Sequence, residues 1–261
     1  MQASGVTHIG RRPNNEDSYR IEPELGLFLV ADGMGGYEGG EIASRLVVDT
    51  LAEFFARQSD PDLDLGTHAA TGSIRADLPG VLQDAEGADL SLAEQRMALA
   101  IRMAHREVQQ EAQGRLREMG STLAALHVHD GKVLIAHVGD SRVYRIRNGH
   151  IEQMTRDHSL TADLEAAGCE NMLAHLPPHY RHMVTRCIAA NANAQPDFRV
   201  MDSLPGDTYV LCSDGVHDVL GRDAILDAVH DAGCDEASER VVARAFAEGT
   251  QDNITVVVVR F

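Results

Sequence analysis

Two stretches of this chain end in the same way. Residues 27–31, Leu-Phe-Leu-Val-Ala, run into Asp32-Gly33, and residues 209–212, Tyr-Val-Leu-Cys, run into Ser213-Asp214-Gly215. Each is a short, unbroken apolar run, the pattern of a strand buried on both faces. Each is closed by a carboxylate and a glycine. Asp252 stands just before a third such run, 254–260, and Asp140 lies in the turn Gly139-Asp140-Ser141-Arg142 between two more. One aspartate at a strand end is unremarkable, because turns favour Asp for local hydrogen bonds. Four, with Asp17 upstream, constrain the fold to one that brings several core-strand ends together. Rigid strand ends opening into loops are where catalytic and cation-holding groups sit.

After Asp32, five of the next eight residues are glycine, and a helical pattern follows over 41–56. A second helix is expected over about 91–114. From Ser121 the period changes to that of strands. Asp130-Gly131 and Asn148-Gly149 are hairpin signals separating apolar runs, so 121–154 reads as an antiparallel meander. Helices are expected at 161–167, 222–231 and 235–248, and a strand over 254–260. Residues 59–89 lose all periodicity and read as an excursion from the domain, and residues 11–19 read as a polar loop. The glycines at 33–40 could cradle a phosphate, but a dinucleotide fold needs a GxGxxG turn in a parallel βαβ unit. The hairpin-rich middle opposes that architecture.

The chain has 261 residues, 44 % hydrophobic and 24 % charged, enough for one sizeable core. Its formal net charge of -17 excludes broad contact with nucleic acid or anionic membranes. Solubility accounts for such acidity, and so do carboxylates gathered around cations. Cys169, Cys187, Cys212 and Cys234 form no CxxC pair and read as free thiols in a reducing compartment. Residues 1–12 lack an apolar signal core and no run has the length of a membrane span, so a cytoplasmic protein is expected.

Oxygen ligands without a matching His or Cys set favour Mg²⁺ or Mn²⁺ over zinc. Carboxylates converging without cations would repel one another and stay partly protonated. His175, His179 and His182 suggest zinc by number. Their spacing needs a helix, which Pro177-Pro178 breaks, and an exposed loop accounts for them better.

Arg12 with Asn15-Glu16-Asp17, Val30-Ala31-Asp32-Gly33-Met34-Gly35-Gly36, Gly120-Ser121-Thr122, Val138-Gly139-Asp140-Ser141-Arg142, Ser213-Asp214-Gly215 and Asp252-Asn253 occur in the order of a known family. The set resembles the PP2C-like (PPM) metal-dependent serine/threonine protein phosphatases, in their bacterial form, over nearly the whole chain. The resemblance implies an α+β fold, an αββα sandwich of two antiparallel sheets flanked by helices. It implies a single domain over 1–261, with 59–89 as an insertion and about 159–182 as a flap. It implies two Mn²⁺ or Mg²⁺ ions, with Asp32 bridging both and the Gly33 carbonyl on one. Asp214 and Asp252 would hold the other, and Asp17 would act on the first, directly or through water. Asp140 with Asp214 matches a third, weaker site, and Arg12 the arginine that grips the substrate phosphate.

The implied reaction is hydrolysis of phosphoserine and phosphothreonine by a metal-bridging hydroxide that attacks phosphorus directly. A bacterial serine/threonine kinase and its substrates would be the partners, with the phosphatase a monomer. Met34 stands where eukaryotic relatives have a histidine proposed as general acid, which leaves that role to water. His217 replaces a usual aromatic residue and is expected to pack beside Asp218. The alternative is a catalytically silent module that binds phosphoproteins. Such modules lose metal ligands, and every ligand position is filled here.

Overall fold

In a computed structural model of the chain, residues 1–35, 39–58, 91–173, 175–177, 180 and 183–261 are described. The excursion expected at 59–89 lies outside them. Strand β3 (Leu27–Met34) shows the logic of the whole fold. Leu27, Leu29 and Ala31 enter one core, while Phe28 and Val30 enter another. Successive side chains on a strand point to opposite faces, so an apolar residue at every position means both faces are covered.

β3 is central in a seven-stranded antiparallel sheet. Its path runs β10 (Asp197–Asp202), β6 (Lys132–Val138), β5 (Leu123–His129), β3, β4 (Gly120–Ser121) and β9 (Ile188–Ala189), with β2 (Asp17–Glu22) also pairing β3. A five-stranded antiparallel sheet has the order β1 (Gln2–His8), β12 (Ile254–Arg260), β11 (Thr208–Cys212), β7 (Arg142–Arg147) and β8 (His150–Gln153). The sheets face each other across Phe28, Val30, Leu126 and Ile135 on one side and Val143, Leu211, Val257 and Val259 on the other. Helices α1 (Gly40–Gln58) and α2 (Leu92–Glu111) cover the outer face of the larger sheet through Val47, Leu51, Met97 and Ile101. Helices α6 (Arg222–Val229) and α7 (Cys234–Ala247) cover the smaller through Ile225, Val229, Val241 and Ala245. The αββα sandwich expected from the resemblance is the fold observed.

Local signals explain the boundaries. Asp130 and Gly131 have φ of 50° and 72°, and Asn148 and Gly149 of 52° and 74°, the left-handed pairs that two-residue hairpins need. Ser91 and Glu94 form a reciprocal capping box at the start of α2. The strand expected from Ser121 keeps its register along β3 but is interrupted at Thr122, whose N–H donates to the Asp32 carbonyl.

Three corrections concern strands and helices with weak patterns. Residues 11–19 are not wholly loop, because β2 begins at Asp17 and its half-exposed DSYRIE sequence carries no clear period. β10 is an exposed edge strand, equally unmarked. A one-turn helix, α5 (Asp214–His217), follows β11 at the Ser213-Asp214-Gly215 end, where the sequence carries no helical period. All four cysteines are free; Cys212 and Cys234 are buried, while Cys169 and Cys187 are only half-buried.

The shared inter-sheet core should dominate stability. Leu211→Ala, at a fully buried site, is expected to cost about 2–5 kcal/mol. Val200→Ala, on the exposed edge strand β10, should cost under about 0.5 kcal/mol in the same urea titration.

Candidate active site

The site forms where the strand ends of both sheets meet. The register of β2 against β3 sets Asp17 directly across from Asp32. Asp32 is fixed through its backbone: its N–H donates to the Thr122 hydroxyl at 3.0 Å, and its carbonyl accepts from Thr122 N at 2.8 Å and the Ser121 hydroxyl at 3.1 Å. Gly33 follows in a gap with no room for a side chain. A β-carbon there would come within 2.1 Å of the Gly40 carbonyl and 2.4 Å of the Glu16 carbonyl.

From the other sheet, β11 delivers Ser213 and Asp214. The Ser213 hydroxyl donates to Asp17 Oδ2 at 2.8 Å and accepts from Thr255 N at 3.1 Å, which ties the two sheets together behind the site. Asn253 fastens the N-terminal loop. Its Oδ1 accepts from Glu16 N, and its Nδ2 donates to the Ile9 and Asn14 carbonyls, each at 2.8 Å. That loop carries Arg12, whose Nη2 lies 2.5 Å from Asp252 Oδ2.

Asp32, Gly33, Asp140, Asp214, Asp252 and Arg12 line one cleft of about 870 Å³. Asp17 does not line it; it is buried behind Asp32 against Ser213. Met34 also lines the cleft, and Val184 and Val219 give it apolar walls. The sequence alone did not single out Glu16 as a site residue, yet it faces the cleft as well. Its place beside Asp17, at the end of the loop that carries Arg12, is the available signal.

Electrostatics set this cluster apart. Burial first, then Asp214, Asp17, Asp140 and Asp252, push the Asp32 carboxyl well above the usual carboxylate range. Burial raises Asp17, Asp140 and Asp214 as well, and neighbouring carboxylates add to each shift. Glu16 is raised by burial and then by Glu41. The Arg12 guanidinium is raised chiefly by its hydrogen bond to Asp252. Asp214 Oδ1 is buried without a hydrogen-bond partner. An orphaned carboxylate oxygen among repelling carboxylates is costly, and a hard cation is the partner that supplies what is missing. The donor set therefore fits Mg²⁺ or Mn²⁺.

Among the described residues, the one group of three ligand types whose atoms lie within 4.8 Å of one another is His137, His158 and Asp197. Of the three histidines considered for zinc, His175 bonds the Asn171 carbonyl, while His179 and His182 lie outside the described residues. His217 does stand beside Asp218, 3.5 Å away, but its Nε2 also bonds the Asp140 carbonyl at 3.1 Å. It holds the Asp140 turn in addition to packing.

Comparison with known proteins agrees with this geometry. The family model described as protein phosphatase 2C matches residues 4–251. The serine/threonine protein phosphatase PstP of Mycobacterium tuberculosis is 32 % identical over 252 residues, covering 95 % of this chain and 42 % of that protein. The chain thus spans less than half the length of that relative. The protein phosphatase PhpP of Streptococcus pneumoniae is 32 % identical over 267 residues, covering 99 % of this chain and 97 % of that one. Among solved structures, the PstP catalytic domain in complex with two manganese ions superposes with a TM-score of 0.75 at 28 % identity, over 98 % of this chain and 96 % of that one. The Staphylococcus aureus phosphatase Stp1 gives 0.78 at 25 % identity, over 100 % and 94 %. The chain belongs to the protein phosphatase 2C family of serine/threonine phosphatases.

Proposed function

We propose that this chain hydrolyses phosphoserine and phosphothreonine in proteins, opposing a serine/threonine kinase in the cytoplasm and acting as a monomer. The observation that carries the reading is the convergence of Asp32, Asp140, Asp214 and Asp252 with Arg12 on one cleft, with a buried carboxylate oxygen left unpartnered. Asp32, the Gly33 carbonyl, Asp214 and Asp252 would hold two divalent cations, with Asp17 supporting them from behind Asp32 and Asp140 with Asp214 available to a weaker third. Bound Mn²⁺ or Mg²⁺ would acidify water and neutralise phosphoryl charge.

The chain's own residues supply the rest. Arg12 offers paired N–H donors suited to a phosphate dianion. Asp252 pairs with its guanidinium and holds it, still half exposed, at the mouth of the cleft. Met34 carries no ionisable proton, so protonation of the leaving alkoxide falls to water. Residues 159–182 would be the flap; its described part bears α3 (Leu160–Ala166) and α4 (Glu170–Leu173), and the bridge from Ser159 to Val184 at its base leaves Val184 on the cleft. The full set of carboxylates supports catalysis over silent phosphoprotein binding.

Release of phosphate from a phosphothreonine peptide should require Mn²⁺ or Mg²⁺. Asp32→Asn should lower kcat by about 10³-fold or more, the scale of lost metal catalysis. Arg12→Ala should act mainly on KM, raising it about tenfold, as for a lost charge-assisted contact. Full activity in Asp32→Asn would refute the proposal.

Metal and pH should also be linked. The raised carboxyls bind more protons folded than unfolded between their ordinary range and their folded values, so metal-free stability falls as pH rises through that window. His127 and His137, both pushed down to about 4 by burial, contribute the opposite slope below their ordinary range. Their contribution is common to both states of metal loading. The gain in Tm on adding Mn²⁺ should therefore grow from pH 5 to 7.5. Asp214→Asn should raise the metal-free Tm at pH 7.5, by about 2–4 °C per kcal/mol of repulsion relieved, and should blunt the Mn²⁺ effect. A Mn²⁺ shift independent of pH would contradict this electrostatic account.

A further inference from the structure

His158 lies outside the cleft and is nearly fully buried, yet it touches both structures that shape one side of it. Its main chain joins two segments: His158 N donates to the Gly139 carbonyl at 2.9 Å, and its own carbonyl accepts from Thr185 N at 2.8 Å. Its side chain repeats the first link, since Gly139 N donates to Nδ1 at 3.1 Å. An imidazole nitrogen that accepts cannot carry the proton, so the proton is on Nε2. Nε2 faces Asp197 Oδ2 at 3.2 Å, and Arg186 Nη1 donates to the other oxygen of the same carboxylate at 2.8 Å. Asp197 is held well below the usual carboxylate range, first by the His158 bond and then by Arg186, so it stays an acceptor. The ring is also stacked on His137 at 4.5 Å, and His137 pairs with Asp197 across β6 and β10.

A metal-ion reading of His137, His158 and Asp197 does not survive these contacts. Gly139 occupies Nδ1 of His158, and the Arg186 guanidinium stands 3.3 Å from Nε2, where a cation would go. What the contacts build is an anchor. Gly139 has φ +100°, and a β-carbon there would approach Thr122 Cγ2 to 2.6 Å, so the turn carrying Asp140 packs directly against the residue that fixes Asp32, with no room for a side chain between them. On the other side, Ser159 pairs with Val184 and Leu160 N donates to Met183 at 2.9 Å, closing the base of residues 159–184.

We infer that His158 is a positioning residue: oriented by Asp197 and Arg186, it locks the Gly139–Asp140 turn to the base of the 159–184 segment. The place of the Asp140 carboxylate and the place of the Val184 wall are thereby coupled. The inference rests on the proposed role of Asp140 in holding a cation, but its core claim concerns the link between two segments.

Hydrogen exchange of the metal-free protein and Mn²⁺ titration calorimetry test it in His158→Ala, His158→Asn and Asp197→Asn. Asparagine can replace Nδ1 with an acceptor oxygen. In His158→Ala, exchange over 139–142 and over 183–186 should both rise about tenfold, the size expected for one lost buried hydrogen bond. Exchange in α6 and α7 should stay unchanged. The weakest class of Mn²⁺ sites should weaken by a similar factor while the tight class is retained. Asp197→Asn should shift both segments in the same direction, and His158→Asn should restore most of the protection at 139–142. Unchanged exchange at 139–142, a rise in only one segment, or a uniform rise across the fold would overturn the inference. Wild-type protein that binds no Mn²⁺ would instead overturn the proposed function, leaving the exchange result to decide the coupling.

Discussion

Mutual repulsion among buried carboxylates is the constraint on which this structure turns. Asp17 is buried while Asp32, Asp140 and Asp214 are partly exposed at the cleft, and for each of them desolvation together with neighbouring carboxylates raises the cost of ionisation. Isolated, each such charge would cost several kcal/mol to bury. The fold supplies the opposing free energy elsewhere, in three contiguous apolar layers that fix the strand ends whatever the aspartates prefer. A cleft built this way retains protons that its carboxyls would lose in water, and divalent cations are the species suited to replace them.

Holding the carboxylate cluster in place falls to neighbouring polar groups. Thr122 grips Asp32 through both of its backbone polar groups and its hydroxyl meets that of Ser141 at 2.7 Å, next to Asp140. Ser213 joins Asp17 to Thr255 across the sheets. Asn253 binds the loop that delivers Arg12 and Glu16. His217 and His158 hold the Asp140 turn from its carbonyl and from Gly139. The site is therefore a property of strand register and of short polar side chains, and loop flexibility has little part in its inner wall.

Much of this was legible in the sequence, for identifiable reasons. Strands buried on both faces write themselves as unbroken apolar runs, so β3, β11 and β12 and their terminal aspartates were visible at once. Asp-Gly and Asn-Gly turns fixed the meander. Half-exposed edge elements leave no such trace, so the sequences of β2 and β10 and of the Arg12 loop carry no period that marks them. That Asp17 stands behind Asp32, out of the cleft, depends on pairing register, which periodicity does not encode. The contacts of His158 and His217 join residues up to 77 positions apart, and nothing local in either segment announces them.

Anomalous diffraction from crystals soaked in Mn²⁺, recorded at the manganese edge, tests the central claim most directly. The account predicts two strong peaks in the cleft, both within coordination distance of Asp32, one also reached by the Gly33 carbonyl and the other by Asp214 and Asp252. A strongest peak at His137, His158 and Asp197, or no peak within reach of Asp32, would contradict it.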